Sequence, residues 1–566
     1  MKPRAARRIA RRALADLVEL RPAPKPVGWN AAVGPRKALP WLLPGALGRH
    51  PPVAIGLGLA DPLTPERLDA ALAQIRAKTL WWPACRADAR EVETLVDLRG
   101  VAPADQHALL DLAMAAPGAS VAALAAAGPE QEAARARGLE ALPGPEAARP
   151  QALRRVIGAA DAALPRHAAI GGVEALAPDG PADPWPWMRR LRFLDPWRRR
   201  PTPLAEGLEA LAFLREAAER NGRQAVTVGL SAWKRRNAAP FLVGPAGPPI
   251  HRATLDRAVR AARRRGGRVA LWGTKTGPEG EALETVRLED GFVRSVGLGL
   301  RHAPPASLAV DQEALYFDAT RPTDFELLAL RADFDARLLG RAAALRRRLV
   351  ELKITKYNLA RSAPLPQPDR ARRRVLVPGQ VEGDASLRLG SPELRTNAEL
   401  LRRARARHPD GYLIYKPHPD VLTGLRKGAV PDDVLALADA VVTEASAAAC
   451  LDWADQVETM TSLMGFEALL RGRAAAVHGR PFYAGWGLTE SAGAPFDRGR
   501  ALTLDQLVAV ALILYPRYID PATRLPAPPE RVLEWLHEER AFVRTPRGRA
   551  REAWRGLASR ALNVVR

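Results

Sequence analysis

Between residues 371 and 480, short apolar runs alternate with longer amphipathic segments, and no other feature of the sequence limits the fold as strongly. The amphipathic segments predict helices at 395–407 and 463–472. The apolar runs predict four strands, which are VLVPG (375–379), YLIYKP (412–417), AVVTE (440–444) and AAAVHG (474–479). Strands that alternate with helices in this way indicate βαβ units and a parallel sheet.

A second α/β series begins earlier in the chain, near residue 205. After a helix pattern it continues with the predicted strands AVTVGL (225–230), RVALWG (268–273), ETVRLE (284–289) and ALYFDA (314–319). Helices follow to about residue 353, the first of them capped by Thr323 and Glu326. The proline-rich segment 362–370 separates the two series. The sequence therefore predicts an α/β protein with two Rossmann-like lobes facing a cleft, where ligands bind beyond the carboxyl ends of the strands.

Residues 1–195 differ from the two lobes because they are rich in Ala, Pro and Arg. We predict a smaller, mostly helical α/β region here, with a strand at 53–60 and a helix at 65–78. The closely spaced prolines of residues 183–203 indicate a linker. The predicted divisions are the N-terminal region (1–195), a linker and helix (196–223), the N-terminal lobe (224–361), the C-terminal lobe (371–515) and a C-terminal helical extension (516–566).

The composition favours anionic partners but does not distinguish between the classes of anionic partner. The 85 Lys and Arg exceed the 62 Asp and Glu by 23, which favours nucleic acid, lipid headgroups or nucleotide-activated acids alike. The two cysteines, Cys85 and Cys450, support neither a disulfide framework nor a zinc site. The apolar run 507–515 is much shorter than the ~20 residues of a membrane span, and the N-terminus lacks the apolar core of a signal peptide. We expect a cytoplasmic protein.

Four polar clusters follow predicted strands, at the edge where a cleft would form. A single acidic residue beside glycine is more often a solvated turn, but four clusters at one edge favour a site. They are Glu289-Asp290-Gly291, the segment Gln380 to Ser386 that includes Asp384, Lys416-Pro-His418-Pro-Asp420, and Thr461-Ser462.

The basic and hydroxyl clusters suit an anionic ligand. Lys416 and His418 present a cation and an imidazole on a backbone fixed by prolines, which suits phosphate or carboxylate, and a surface turn is the alternative. Thr461 and Ser462 precede a predicted helix whose N-terminus would bind phosphate, although an ordinary N-cap is the more common explanation.

The acidic clusters suit glycosyl transfer. Closure of the cleft would bring Asp384 of one lobe opposite Glu289 and Asp290 of the other, and paired carboxylates serve an oxocarbenium-like transition state. The alternative is that they cap turns or pair with arginines. The segment RPFYAGWGLTE (480–490) predicts either a binding loop with stacking surface or core filling.

Nine segments, taken in order, resemble the KpsC-type capsular polysaccharide biosynthesis proteins over about residues 195–525. The resemblance implies a two-lobed GT-B-like glycosyltransferase module without a metal or cofactor. Its reaction would move β-Kdo from CMP-Kdo, with retention, onto a Kdo-primed phosphatidylglycerol acceptor for the capsule linker. The segments are WKRRNAAPFL (233–242), LEDGFVRSVGLG (288–299), YFDATRPTDFELL (316–328), KYN (356–358), PGQVEGDAS (378–386), YKPHPDV (415–421), TSLMGFEALLRG (461–472), RPFYAGWGLTE (480–490) and YPRYIDPAT (515–523).

The same resemblance assigns roles to the polar clusters. Asp384 would attack the anomeric carbon and hold a covalent Kdo, and Glu289 or Asp290 would exchange the acceptor proton. The donor would be bound by Lys416, His418, Thr461, Ser462, Gln380 and Ser386.

The resemblance also sets expectations for the remaining chain and its partners. The family has two tandem modules, but residues 1–195 hold no second EDG, QVxxDxS or KPHPD, so we predict a degenerate first module. A companion initiating Kdo transferase and the capsule export machinery are candidate partners. The basic amphipathic segments 1–20 and 551–566 predict peripheral docking on the anionic inner face of the plasma membrane, unless they are solvated helix faces.

Two other classes of function compete with the transferase. A non-catalytic component of capsule assembly or export would keep the fold without the polar clusters. A basic nucleic-acid-binding protein fits the charge, but no helix-turn-helix, RRM or zinc-finger pattern occurs, so nucleic acid is not an expected partner.

Overall fold

The structure is a computed structural model that describes most of the chain from residue 89 to residue 553. Not described are residues 1–88, 100, 102, 116–119, 126–127, 143–147, 150, 158–173, 178–179, 182–192, 199–200, 203, 279–282, 298–302, 359–362, 370, 425, 552 and 554–566. The strand predicted at 53–60, the helix predicted at 65–78 and nearly all of the two terminal segments therefore lie outside the described residues.

The first sheet lies in the N-terminal region and has six strands. Their spatial order is β3-β2-β1-β4-β5-β6, and all pairs are parallel except β5 with β6. The elements are β1 (Thr94–Asp97), α1 (Pro103–Met114), β2 (Val121–Leu124), α2 (Pro129–Ala136), β3 (Glu140–Leu142), β4 (Arg155–Ile157), β5 (Glu174–Ala177) and β6 (Gly180–Pro181). Two short strands, β7 (Phe193–Leu194) and β8 (Pro201–Thr202), pair in the linker.

The N-terminal lobe contains the second sheet, in the order β10-β9-β11-β12-β13-β20. Strands β10, β9, β11 and β12 are parallel, whereas β13 is antiparallel to both neighbours. The elements are α3 (Leu204–Glu219), β9 (Ala225–Val228), α4 (Ala232–Ala238), β10 (Ile250–Arg252), α5 (Leu255–Arg264), β11 (Arg268–Trp272), β12 (Thr285–Asp290), β13 (Ser307–Asp311), α6 (Asp324–Arg331) and α7 (Ala336–Glu351).

The C-terminal lobe contains a third, wholly parallel sheet in the order β16-β15-β14-β17-β18-β19. Its central strand β14 is buried at Val375, Leu376 and Val377, as expected for a strand covered on both faces. The elements are β14 (Arg374–Pro378), α8 (Ala385–Gly390), α9 (Asn397–Arg407), β15 (Tyr412–Lys416), α10 (Pro419–Leu422), α11 (Asp432–Leu435), β16 (Ala440–Val441), α12 (Ala447–Trp453), β17 (Gln456–Thr459), α13 (Leu463–Leu470), β18 (Ala474–Val477) and β19 (Glu490–Ser491).

The chain then returns to the N-terminal lobe. Helix α14 (Leu504–Val508) continues as a π-helix (Ala509–Leu514), β20 (Arg517–Tyr518) completes the second sheet, and α15 (Pro529–Val543) follows. Packing of α14 and the π-helix against α7 explains the buried run that the sequence showed at 507–515. Residues 504–515, predicted to belong to the C-terminal lobe, thus contact helices of the N-terminal lobe.

One hydrophobic core joins the two lobes. In this core Phe292 of the N-terminal lobe stacks on Phe482 of the C-terminal lobe, with ring centroids 4.2 Å apart. Phe325 and Phe466 approach Phe482 edge-on or tilted. Aromatic contacts of this kind add to the free energy of area burial, so the two lobes are held together by packing as well as by the chain connection.

The predicted α/β class with two Rossmann-like lobes is confirmed, and so is the capping box at Thr323 and Glu326. The strand predicted at 314–319 is wrong. That segment forms a turn, in which Asp318 donates its N–H to the Leu315 carbonyl at 2.8 Å, and its aromatic residues pack on the interlobe core. The antiparallel strand β13 was missed. The mostly helical description of residues 1–195 is incomplete, because the described part also forms a six-stranded sheet.

Candidate active site

Three of the four polar clusters lie on one edge of the third sheet. Gln380 to Ser386 follow β14, Lys416 to Asp420 span the end of β15, and Thr461-Ser462 follow β17. These strands are adjacent and parallel, and the strand order reverses between β14 and β17. Such a reversal opens a crevice beyond the strand ends, which is where Rossmann-like sheets bind ligands.

Asp384 is exposed and begins helix α8. Its Oδ1 accepts the Ser386 N–H at 3.0 Å and the Ser386 hydroxyl at 3.1 Å. Asp384 therefore caps a turn, as the structural alternative predicted, while its second carboxylate oxygen takes no part in these two bonds. Ser386 serves to orient this carboxylate.

Gln380 and Thr461 join the loops on the two sides of the crevice. The Gln380 amide donates to Thr461 Oγ1 at 3.0 Å, and Gln380 Oε1 accepts the Thr461 N–H at 2.9 Å. Asn397 binds the Gln380 backbone at both its N–H and its carbonyl, at 2.8 Å each. The side chains of Gln380, Thr461 and Asn397 are all buried. Their polar groups hold the two loops in register, so a direct contact with a donor would compete with these bonds.

Lys416 and His418 have different surroundings although they are two residues apart. Lys416 is buried, and its Nζ donates to the Ala445 carbonyl at 2.7 Å. His418 caps the short helix α10, because its Nδ1 accepts the Asp420 N–H at 3.1 Å. That bond leaves the ring proton on Nε2.

Burial lowers the pKa of His418 below its ordinary value, and Lys356 acts in the same direction, whereas Asp420 and Asp384 oppose the shift. The imidazole is therefore neutral at neutral pH. It offers one N–H donor from Nε2.

Ser462 caps helix α13, since its Oγ accepts the Met464 N–H at 3.2 Å. Tyr483 donates its hydroxyl to the Ser462 carbonyl at 2.6 Å. A Cβ at Gly465 would lie 2.2 Å from the Tyr483 hydroxyl oxygen, so only glycine allows this approach. The hydroxyl is thus an N-cap, and any phosphate contact at this helix would rely on backbone N–H groups and the helix dipole.

The fourth cluster ends β12 of the N-terminal lobe. Glu289 Oε1 accepts the Asp290 N–H at 2.9 Å, and Asp290 Oδ2 accepts Arg294 Nε at 2.6 Å. Asp290 Oδ1 is buried and makes no hydrogen bond with any described residue. A Cβ at Gly291 would meet the Ser307 hydroxyl at 2.3 Å, so the glycine is required by the close approach of β13.

Burial raises the pKa of Glu289 to about 7, and the neighbouring Asp290 adds to this rise. The Asp290 N–H, Lys356 and Lys234 only partly offset it. Glu289 therefore exchanges its proton near neutral pH, which is the property required of a general acid or base.

Tyr316 and Lys356 connect the carboxylates of the two lobes. Burial raises the pKa of Tyr316, against the effect of Lys356, and negative charge from Glu289, Asp290 and Asp384 adds to the rise. Lys356 in turn lies within electrostatic range of Glu289, Asp290 and His418. Asp384 and the Glu289-Asp290 pair thus share Tyr316 as a neighbour across the cleft.

Sequence analysis did not single out Tyr316, Lys356 or Lys234 as site residues. Each lies in a segment noted for family resemblance, and Lys356 is in KYN. Their place in these segments was the one feature from which the sequence could have identified them as site residues. The segment 480–490 is core filling at its aromatic positions, because Phe482, Tyr483 and Trp486 are all buried.

Within the described ranges, no cluster of three or more His, Cys, Asp or Glu side chains is placed to hold a metal ion. In the same part of the chain, no helix is both long and apolar enough to cross a membrane.

Comparison with known proteins shows which proteins this chain resembles. Residues 335–518 match the model of the family described as capsule polysaccharide biosynthesis protein. The chain is 40% identical over 343 residues to the capsule polysaccharide modification protein LipA of Neisseria meningitidis, covering 60% of this chain and 49% of LipA. It is 41% identical over 282 residues to the lipopolysaccharide-processing protein LpsZ of Rhizobium meliloti, covering 49% of this chain and 64% of LpsZ.

Among solved structures, the KpsC β-Kdo 2,7-transferase of Thermosulfurimonas dismutans is 32% identical, with coverage of 55% of this chain and 98% of that one and a TM-score of 0.47. The chain spans about half the length of the LipA relatives it matches. The family model and the LipA identity confirm the resemblance to capsule polysaccharide biosynthesis proteins that the sequence indicated.

Proposed function

We propose that this protein is a retaining glycosyltransferase that moves β-Kdo from CMP-Kdo onto a Kdo-primed phosphatidylglycerol acceptor during synthesis of the capsule linker. One observation carries the proposal. Asp384 of the C-terminal lobe and the Glu289-Asp290 pair of the N-terminal lobe act electrostatically on the same residue, Tyr316. Two carboxylate groups on opposite walls of a cleft are what a double displacement at a sugar requires.

In the first step, an Asp384 carboxylate oxygen attacks the anomeric carbon of Kdo. The bond from that carbon to the phosphate oxygen breaks, and CMP leaves with the bonding pair. Ser386 holds Asp384 through Oδ1, which favours attack by the other oxygen. No metal is needed in this scheme, because the His418 Nε2–H and the N-terminus of α13 can stabilise the departing phosphate.

In the second step, the acceptor hydroxyl attacks the same carbon. Its proton passes to Glu289, and the bond between Asp384 and the sugar breaks. Two inversions give net retention. We assign the proton to Glu289 because its pKa of about 7 suits exchange, whereas Asp290 is engaged by Arg294. Gln380, Thr461, Lys416 and Ser462 hold the loops and helix ends that form the donor site.

The competing function is a non-catalytic component of capsule assembly or export. It would have no use for an exposed, oriented carboxylate opposite a carboxyl group of raised pKa. The whole chain, incubated with CMP-Kdo and a Kdo-primed lipid acceptor, should give a product heavier by one Kdo in mass spectrometry, and release CMP. Absence of product and of CMP release, with folded protein, would favour the assembly role.

The acceptor is a lipid, so the transferase must reach a membrane surface. We propose that the basic segments 1–20 and 551–566 dock it on anionic headgroups, each Lys or Arg near the surface contributing about 1 kcal/mol. Co-sedimentation with phosphatidylglycerol vesicles should exceed that with neutral vesicles and fall with salt or deletion of both segments. Binding that is insensitive to lipid charge and to salt would contradict this docking.

A further inference from the structure

Lys356 is a cation at the cleft whose ammonium group makes no hydrogen bond and no ion pair among the described residues. Its Nζ lies 5.6 Å from the centre of the Tyr357 ring, and it forms neither a hydrogen bond nor an ion pair in the described part of the chain. Lys416, by contrast, donates its Nζ to a backbone carbonyl. A half-buried ammonium that has an aromatic ring beside it but no hydrogen-bond acceptor is costly in a folded protein, so its position requires an explanation.

The backbone around Lys356 is fixed from both lobes. The Lys356 N–H donates to Glu467 Oε1 of helix α13 at 2.9 Å, and the Lys356 carbonyl accepts the Ser295 N–H at 3.2 Å. Asn358 has a positive φ of 50°, and its amide donates to the Ser295 carbonyl at 3.0 Å. The side chain is therefore presented from a rigid segment that bridges the two lobes.

The charged groups around Lys356 do not neutralise its ammonium group, which can therefore bind an anion. Asp290 already has Arg294 as a partner at 2.6 Å, and Glu289 is close to half protonated at neutral pH. Burial opposes the ammonium charge, but Tyr357, Tyr316 and the two carboxylates outweigh it and raise the pKa of Lys356. Lys356 stays positive while His418, on the facing lobe, stays neutral.

We propose that Lys356 binds the carboxylate that is attached to the anomeric carbon of the donor sugar. This inference rests on the proposed transfer from a nucleotide-activated 2-ulosonic acid. In such a donor one carbon carries both the carboxylate and the phosphate ester, so the donor brings two negative charges next to Asp384. The cation between the acidic wall and His418 offsets this repulsion and selects acidic sugars over neutral ones.

Binding of three probes tests the assignment, measured by titration calorimetry in an Asp384→Asn background so that no covalent adduct forms. The probes are CMP-Kdo, CMP and free Kdo. Lys356→Met should weaken binding of CMP-Kdo about 10- to 100-fold and leave CMP unchanged, because a charge-assisted hydrogen bond to the carboxylate is lost. Lys356→Arg should recover part of the loss.

Lys353→Met is the matched control, since Lys353 belongs to the same segment but is exposed and pairs with Asp452. It should bind all three probes normally. Because only backbone groups of Lys356 are hydrogen-bonded to residues that the structure describes, the Met variant keeps its anchors, and its unfolding temperature should confirm this.

Two results would overturn the inference while leaving the proposed transferase intact: equal weakening of CMP and CMP-Kdo, which assigns Lys356 to the phosphate, or unchanged CMP-Kdo binding in Lys356→Met. Failure of the background protein with Lys356 to bind CMP-Kdo would overturn the proposed function as well.

Discussion

The N-terminal sheet and the sheet of the C-terminal lobe have the same strand order but different residues at the same edge. Both place the third, second, first, fourth, fifth and sixth strands in sequence, and they differ in direction only at the last strand. In the C-terminal lobe, the first strand leads into the Gln380–Ser386 loop and the second into His418. In the N-terminal sheet, the first strand ends at Asp97 and leads into Arg99, and the second ends at Leu124 and leads into Ala125.

The difference shows that a shared strand order provides a similar sheet edge, whereas the residues of the loops at that edge determine whether a site forms there. Asp97 is bound in a fork by Arg99, at 2.7 and 2.8 Å, so its charge is already satisfied within the loop. Asp384 instead accepts neutral donors from Ser386 at Oδ1, and its other carboxylate oxygen takes no part in these two bonds. We propose that the N-terminal sheet is what remains of a first module that has lost its chemistry.

Replacement of Asp384 should have the largest effect. Asp384→Asn keeps an oxygen that accepts the Ser386 N–H, so helix α8 stays capped, but the amide is no nucleophile. We expect transfer to fall by at least about 10³-fold with little change in unfolding temperature. Asp384→Ala should lose transfer equally and also about 0.5–2 kcal/mol of stability with the cap. Near-normal CMP release by the folded Asn variant would remove Asp384 from the mechanism.

Glu289→Gln should come next, with a loss of about 10²- to 10⁴-fold. A base must be deprotonated, and the pKa of Glu289 is about 7. The wild-type rate should therefore rise with pH through about 7 and then level off, and this limb should be absent in the Gln variant. Asp290→Asn is the matched comparison and should keep the limb, moved to lower pH because the Asp290 charge no longer raises the pKa of Glu289. The reverse pattern would give the proton transfer to Asp290.

The same carboxyl group provides a test of folding. Its pKa is raised from 4.5 to about 7, so the folded state binds the proton more tightly than the unfolded state. The stability that Glu289 contributes is present below pH 4.5 and is lost as the pH rises through 7. Glu289→Gln should therefore be at least as stable as wild type at pH 8, which separates loss of activity from loss of fold.

His418 should have a smaller effect because it binds rather than reacts. His418→Ala should reduce kcat/KM by about 10- to 100-fold, through weaker donor binding and slower turnover. His418→Asn can still accept the Asp420 N–H and cap α10, so it isolates the lost Nε2 donor. Unchanged affinity for CMP-Kdo in both variants would place His418 outside the donor site.

The sequence predicted the lobes well because alternating apolar and amphipathic segments depend on local periodicity. The prediction was wrong at 314–319. Tyr316 and Phe317 belong to the packing around the interlobe core, which forms only when the two lobes are assembled, and not to a strand. The strand-end clusters were predicted from position alone. The sequence could not predict which polar side chains are already hydrogen-bonded within the protein. Lys416 is bound by the Ala445 carbonyl and Thr461 by Gln380, whereas Lys356 is left available.

Asp97→Asn should have the smallest effect on transfer, and it tests the comparison from the other side. The Asp97 side chain is only 8% exposed, and its pair with Arg99 joins the end of β1 to the loop that follows it. Loss of this charge-assisted fork should lower stability by about 1–3 kcal/mol, with kcat/KM unchanged. Arg99→Met should cost a similar amount, and the double variant less than the sum, because the two residues act as one pair. If Asp97→Asn stayed folded but lost transfer, the N-terminal sheet would take part in catalysis, and a shared strand order would then imply a shared function.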